Sequence, residues 1–152
     1  RSVSDFNSKI SFKFILECAQ VFPDSNFTWR SHPILSLEKL DIFNEETLPS
    51  NVTLSKNVFD KDLIDSDIAI YRGSTAIIRA VMGNLVPIYL QKNSEIGIDI
   101  MYSINVHRVY LPSELKQIIQ SSNFNLHTEE AIKFCQNYFR PMNYKSFLQA
   151  ED

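Results

Sequence analysis

Ser66-Asp67-Ile68-Ala69-Ile70-Tyr71-Arg72-Gly73-Ser74-Thr75 carries the clearest fold signal in the chain. Ile68-Ala69-Ile70-Tyr71 is a continuous apolar run, the pattern of a parallel strand buried on both faces. Arg72-Gly73-Ser74 ends it, and a helix is predicted from Thr75 to about Met82, closed by Gly83-Asn84. Val86-Pro87-Ile88-Tyr89-Leu90 then reads as the next strand. A strand, a helix and a second strand in that order form a parallel crossover unit.

Outward from this unit the alternation continues. Upstream, Phe14, Ile15, Cys18, Ala19 and Phe22 recur at the three-to-four spacing of an amphipathic helix over 8–22, broken by Pro23-Asp24-Ser25. Strands are predicted near 26–30, 52–55, 67–71, 86–90 and 107–111. Short helices are predicted around 37–40 and 60–64. Further helices start at Pro112-Ser113-Glu114 and at Thr128-Glu129-Glu130, the last one stopped by Pro141. No hairpin dipeptide such as Asn-Gly joins neighbouring strands. The expected fold is therefore α/β: a Rossmann-like parallel sheet with helices on both faces, one domain over 1–152. The chain opens on a helix where a doubly wound fold normally opens on a strand, and it begins at Arg1. Both features read as a domain cut from a larger two-domain protein.

Composition narrows the function classes. The 152 residues are 44% hydrophobic and 22% charged, with 15 basic against 18 acidic residues and a formal net charge of −3. There is no basic run and no interleaving of basic and aromatic residues, so a nucleic-acid partner is not expected. No apolar stretch approaches the ~20 residues a membrane-spanning helix needs. Cys18 and Cys135, with no CxxC and no Cys/His cluster, read as buried thiols of a reducing, cytoplasmic compartment; neither a metal nor a cofactor is expected. Asn26-Phe27-Thr28 and Asn51-Val52-Thr53 match the glycosylation tripeptide, but nothing else points to secretion.

In open parallel sheets ligands bind beyond the carboxyl ends of the strands. The residues expected there are Arg30 and His32 after the first strand, Ser55, Lys56 and Asn57 after the second, and Arg72, Gly73, Ser74 and Thr75 after the third. A glycine after a buried strand admits close backbone approach. The helix that follows offers unpaired N–H groups to a phosphate, with hydroxyls from Ser74 or Thr75; the competing role for Ser74 is a plain helix cap. Pro33 biases His32 towards extended geometry, and Arg30, two residues earlier, lies on the same strand face. His107 and His127 read as surface or packing residues, and Asp65 and Asp67 as solvating a turn.

The run Asn26-Phe27-Thr28-Trp29-Arg30-Ser31-His32-Pro33 resembles the strand and His-Pro motif of bacterial surface-carbohydrate glycosyltransferases with the GT-B fold. The run 66–75 with Val86-Pro87-Ile88-Tyr89-Leu90 is similar to a later unit of the same proteins, in which sialyl- and polysialyltransferases and related capsule enzymes place a Ser-Ser or Ser-Thr motif. The resemblance implies the C-terminal, nucleotide-sugar-binding half of such an enzyme, covering roughly 14–111. His32 would then face the donor phosphate and leaving group. Ser74 and Thr75 would be the hydroxyl pair, with Arg30, Arg72 and Gly73 beside them and Ser55, Lys56 and Asn57 near the base. The donor would be a nucleotide-sugar such as a CMP-sugar. The acceptor carbohydrate would be held by an N-terminal domain outside this chain, so the 152 residues alone should not turn over. Peripheral membrane association of the full protein is a further expectation. Many relatives carry a glutamate on the helix after this strand to grip the ribose; Arg79 stands there instead and cannot accept those hydrogen bonds, which speaks against the usual uridine-diphosphate-sugar grip. Two other readings remain: a sugar-nucleotide epimerase of the same fold, and a non-catalytic Rossmann-like interaction module.

Overall fold

The computed structural model describes residues 3–31, 48–92, 98–125 and 127–138. Its elements are α1 (Val3–Val21), β1 (Phe27–Trp29), β2 (Val52–Leu54), α2 (Phe59–Ile64), β3 (Ile68–Tyr71), α3 (Ala76–Met82), β4 (Val86–Leu90), β5 (His107–Val109), α4 (Pro112–Gln120) and α5 (Thr128–Tyr138). All five predicted strands are present, and every pair is parallel. The helix expected around 37–40 lies outside the described residues. No described helix is long and apolar enough to cross a membrane.

The strands form two sheets: β1-β2, and β3-β4-β5. A single continuous sheet was the expectation. With only three residues, β2 pairs with β1, and the β1-β2 ladder is closed at its ends by Phe27 N–H to Asn51 O (2.8 Å) and Ser55 N–H to Trp29 O (2.8 Å). Between β2 and β3 the contact is side-chain packing, with Val52 and Ile70 in one apolar cluster beneath α1.

Strand alternation assigns the faces of the larger sheet. Ile68 and Ile70 of β3, Ile88 and Leu90 of β4 and Val109 of β5 pack with Phe14 and Cys18 of α1 and Leu115 of α4. The residues between them point the other way, where Ala69, Tyr71 and Tyr89 join Ile77, Ile78 and Val81 of α3 and Ala131 and Cys135 of α5. Helices therefore cover both faces, which is why β4 is buried at all five positions. The thiols behave as expected for core groups. Burial, with the nearby Glu17 charge, pushes Cys18 up to about 12, and burial pushes Cys135 up to about 11.

Local signals end the helices as the sequence predicts, with one difference. The end of α3 is a Schellman-type turn, with Leu85 N–H to Ala80 O (3.0 Å) and Asn84 N–H to Val81 O (2.9 Å). Asn84, at φ 68°, takes the left-handed position, whereas Gly83 does not. At the start of α4, Glu114 Oε2 accepts from the backbone N–H groups of Tyr110 (2.6 Å) and Leu111 (3.0 Å), and Pro112 occupies the first turn.

Candidate functional site

Helix α1 shows where the strand ends lie. Just before β2, the Asn51 amide donates to the carbonyls of Ala19 (3.1 Å), Phe22 (3.0 Å) and Ser25 (3.0 Å), closing the C-terminal end of α1. Just after β3, Arg72 Nε donates to Asn7 Oδ1 near the N-terminal end of α1 (2.9 Å). Between them Trp29 at the end of β1 meets Phe12 edge-on at 5.1 Å between ring centroids. The strands therefore run antiparallel to α1, and all five carboxyl ends share one edge. This is the edge where an open parallel sheet binds ligands.

At the β1-β2 end of this edge, Arg30 and Ser55 come together on a residue the sequence reading passed over, Asp62 of α2. Arg30 Nη1 donates to Asp62 Oδ2 (2.8 Å) and to Asn57 O (2.8 Å). Ser55 Oγ donates to Asp62 Oδ2 (2.5 Å), and Asn57 Nδ2 to Asp62 Oδ1 (3.2 Å). Burial alone would raise the Asp62 pKa, but hydrogen bonds from Ser55, Arg30 and Asn57 and the Arg30 charge hold it below the ordinary aspartate value. Lys56 is exposed and takes no part in this network. Arg79 is also exposed: it pairs with Asp60 and lies over the Phe59 ring, as Arg30 does. His32 lies outside the described residues. Asp62 was not legible in advance because it sits in an acidic stretch with Asp60, Asp65 and Asp67, where each carboxylate reads as solvated.

The β3–α3 turn has a different character. Gly73 adopts φ +63°, and a Cβ there would lie 3.1 Å from Asn7 Nδ2. What this glycine makes room for within the fold is thus α1. Replacing Gly73 with alanine should cost about 1–2 kcal/mol from the left-handed backbone alone, and should also displace Asn7 from Arg72. Urea denaturation of Gly73→Ala checks this, and an unchanged midpoint would contradict it. Ser74, one residue before the N-cap Thr75, accepts the Ala76 N–H at its Oγ (3.3 Å) in a local turn bond at the start of α3, and its hydroxyl proton can still be donated to a ligand. Thr75 is exposed and makes no side-chain cap bond.

Beyond the ends of β3, β4 and β5 lies a polar pocket of about 330 Å³, lined by Arg72, Tyr89, Gln91, Lys92, Asp99, Tyr102 and Arg108. Arg72 is buried, with 7% of its surface exposed, and also donates through Nη1 to Leu90 O at 3.0 Å. Asp99 organises the opposite wall. Its Oδ1 accepts from the Tyr71 hydroxyl (2.7 Å) and the Met101 N–H (2.9 Å), and its Oδ2 from Arg108 Nη2 (2.9 Å). Burial, then the Asp99 bond and charge, push the Tyr71 phenol well above its ordinary range, so it stays a donor. A larger, more open and mostly apolar hollow of about 1050 Å³ lies between 98–104 and α5, with Ile98, Ile104, Phe134 and Tyr138 in its wall.

Set against protein-family models, curated proteins and solved structures, the chain matches none. Of the residues expected at the site, the structure thus joins Arg30 to Ser55 through Asp62 and seats Arg72 in the polar pocket. It leaves Ser74 and Thr75 on the adjoining turn. Among the described residues, no group of three or more His, Cys, Asp or Glu side chains is placed to hold a metal ion. His107 packs against Phe124, with ring planes 9° apart, and donates through Nε2 to Phe124 O (3.0 Å). That is the packing role expected of it.

Proposed function

We propose that this chain is the donor-binding domain of a cytoplasmic bacterial glycosyltransferase that builds surface polysaccharide and uses a nucleotide-sugar as substrate. The observation that carries the reading is the shared carboxyl edge, on which Arg72, Gly73, Ser74 and Thr75 directly follow β3, the strand paired with the fully buried β4. Arg72 can neutralise a leaving phosphate and the hydroxyls can hydrogen-bond it, stabilising charge that grows in the transition state. The acceptor and the catalytic base would come from a domain outside these residues.

A thermal-shift screen of nucleosides, nucleotides and nucleotide-sugars tests the reading. A cytidine or other nucleotide should raise the melting temperature, and its unphosphorylated nucleoside should not. Ser74→Ala separates the two roles of that hydroxyl. Loss of a phosphate contact weakens nucleotide binding roughly ten- to a hundred-fold, whereas loss of a cap costs about 1 kcal/mol of stability with affinity nearly unchanged. The engagement of Arg30 and Ser55 by Asp62 favours the second reading, a non-catalytic interaction module. No shift with any nucleotide would decide for it.

A further inference from the structure

The polar pocket beyond β3, β4 and β5 contains two cations that lie outside the donor-site motif. Lys92 follows β4, and Arg108 lies on β5. Neither belongs to a recognisable sequence pattern, and only the parallel pairing of β4 with β5 and β3 brings them beside Arg72. We propose that this pocket binds a phosphoryl oxyanion, held by Lys92, Arg108 and the Tyr89 hydroxyl, with Arg72 forming its floor.

Three observations support the assignment. Among the described residues, the wall carries three cations against one carboxylate, Asp99. That carboxylate already accepts from the Tyr71 hydroxyl, the Met101 N–H and Arg108, which offset most of its charge towards the pocket. The guanidiniums are also oriented in advance. Arg108 is held through Nη1 by Val106 O (3.2 Å) and through Nη2 by Asp99, leaving further N–H groups of its fork for a ligand. Arg72 is fixed between α1 and the end of β4. Donors held this way lose little freedom on binding an oxyanion, which is the condition for strong charge-assisted contacts. Finally, Tyr89 is anchored by its ring, 5.3 Å from that of Tyr71. Burial raises its pKa above the ordinary phenol value; Arg72 and Arg108 oppose this and Asp99 adds to it, so the hydroxyl remains a donor at neutral pH. At about 330 Å³ the space lies at the small end of ligand sites, room for a phosphoryl group and one attached ring.

The same oxyanion chemistry has two sources, free pyrophosphate and the phosphate chain of a donor nucleotide. Only the second rests on the donor-binding reading. Calorimetric titration of the 152-residue chain with inorganic pyrophosphate, a nucleoside diphosphate and the bare nucleoside tests both. Pyrophosphate should bind and weaken as salt is raised. The exposed substitution Lys92→Glu should lower its affinity at least about tenfold, as expected for losing one charge-assisted contact. Tyr89→Phe keeps the ring and its packing and should lower affinity several-fold; circular dichroism verifies that both variants are folded. Pyrophosphate that fails to bind the wild type, or binds both variants as it binds the wild type, overturns the site. Pyrophosphate binding sensitive to Lys92→Glu with no added affinity from the nucleoside keeps the pocket and removes the nucleotide donor. A nucleoside diphosphate bound equally well by wild type, Lys92→Glu and Tyr89→Phe does the opposite.

Discussion

Asp99→Ala should destabilise the protein by about 3–5 kcal/mol, the range for removing one partner of a buried, hydrogen-bonded ion pair. Three groups lose their acceptor at once: the Tyr71 hydroxyl, the Met101 N–H and Arg108. The Asp99 side chain is 8% exposed, so water cannot readily replace what is removed. The Met101 bond has a second consequence. It closes the turn that delivers the fully buried Met101 side chain into the cluster with Tyr89, Ala131 and Cys135, so its loss loosens core packing as well as polar pairing. Urea denaturation of Asp99→Ala measures the total, and a double-mutant cycle with Tyr71→Phe isolates one bond. A coupling on the order of 1 kcal/mol or more is expected for side chains in direct contact. Additive effects would mean that Asp99 does not hold Tyr71. The same variant should weaken pyrophosphate binding despite removing a negative charge, because Arg108 loses the contact that aims it.

Asp62→Ala is the second large effect, about 2–4 kcal/mol, reduced from the fully buried case because Arg30 is 39% exposed and partly screened by water. Arg30, Ser55 and Asn57 would all lose an acceptor. Asp62→Asn keeps the shape and one acceptor, so it should lose less. The pH dependence follows from the lowered pKa. A carboxylate whose folded pKa lies below its unfolded value near 3.8 contributes its full stabilisation above that value and loses it as pH falls through the folded pKa. Wild-type stability should therefore fall more steeply than that of Asp62→Asn below about pH 4. Parallel acid limbs for the two proteins would show that the Asp62 charge is not coupled to folding. If the network is purely structural, nucleotide affinity of the folded Asp62→Asn protein stays at the wild-type level; if Arg30 also serves a ligand, it changes.

Much of the architecture could be read locally. Ile68-Ala69-Ile70-Tyr71 and Val86-Pro87-Ile88-Tyr89-Leu90 are apolar at consecutive positions, which suits only strands covered on both faces, and both are β-strands with helices on either side. Pro112 with Glu114 marked the start of α4, and the Gly83-Asn84 pair marked the end of α3. Even there the residue that takes the left-handed position is Asn84, whose short polar side chain tolerates it better than most. Parallel pairing also followed from the sequence, since a helix between two strands returns the chain to the edge where it began.

The partners of the polar residues followed from none of this. Asp99 lies 28 positions from Tyr71, and Arg30 lies 32 from Asp62. Asn7 meets Arg72 across 65. Hydrophobic period and helix caps are short-range signals, legible because each arises from a few neighbouring residues. Which carboxylate receives an arginine is decided by how helices settle on a sheet, and no local pattern encodes that. The sequence by itself therefore determined an α/β chain of parallel strands, with Arg72, Gly73, Ser74 and Thr75 directly after the third. Only the tertiary structure decided that the strands divide into two sheets, that Asp62 engages Arg30 and Ser55, and that Arg72, Lys92 and Arg108 line one pocket. Burial makes an unpartnered polar group costly, so packing selects these partners from anywhere along the chain.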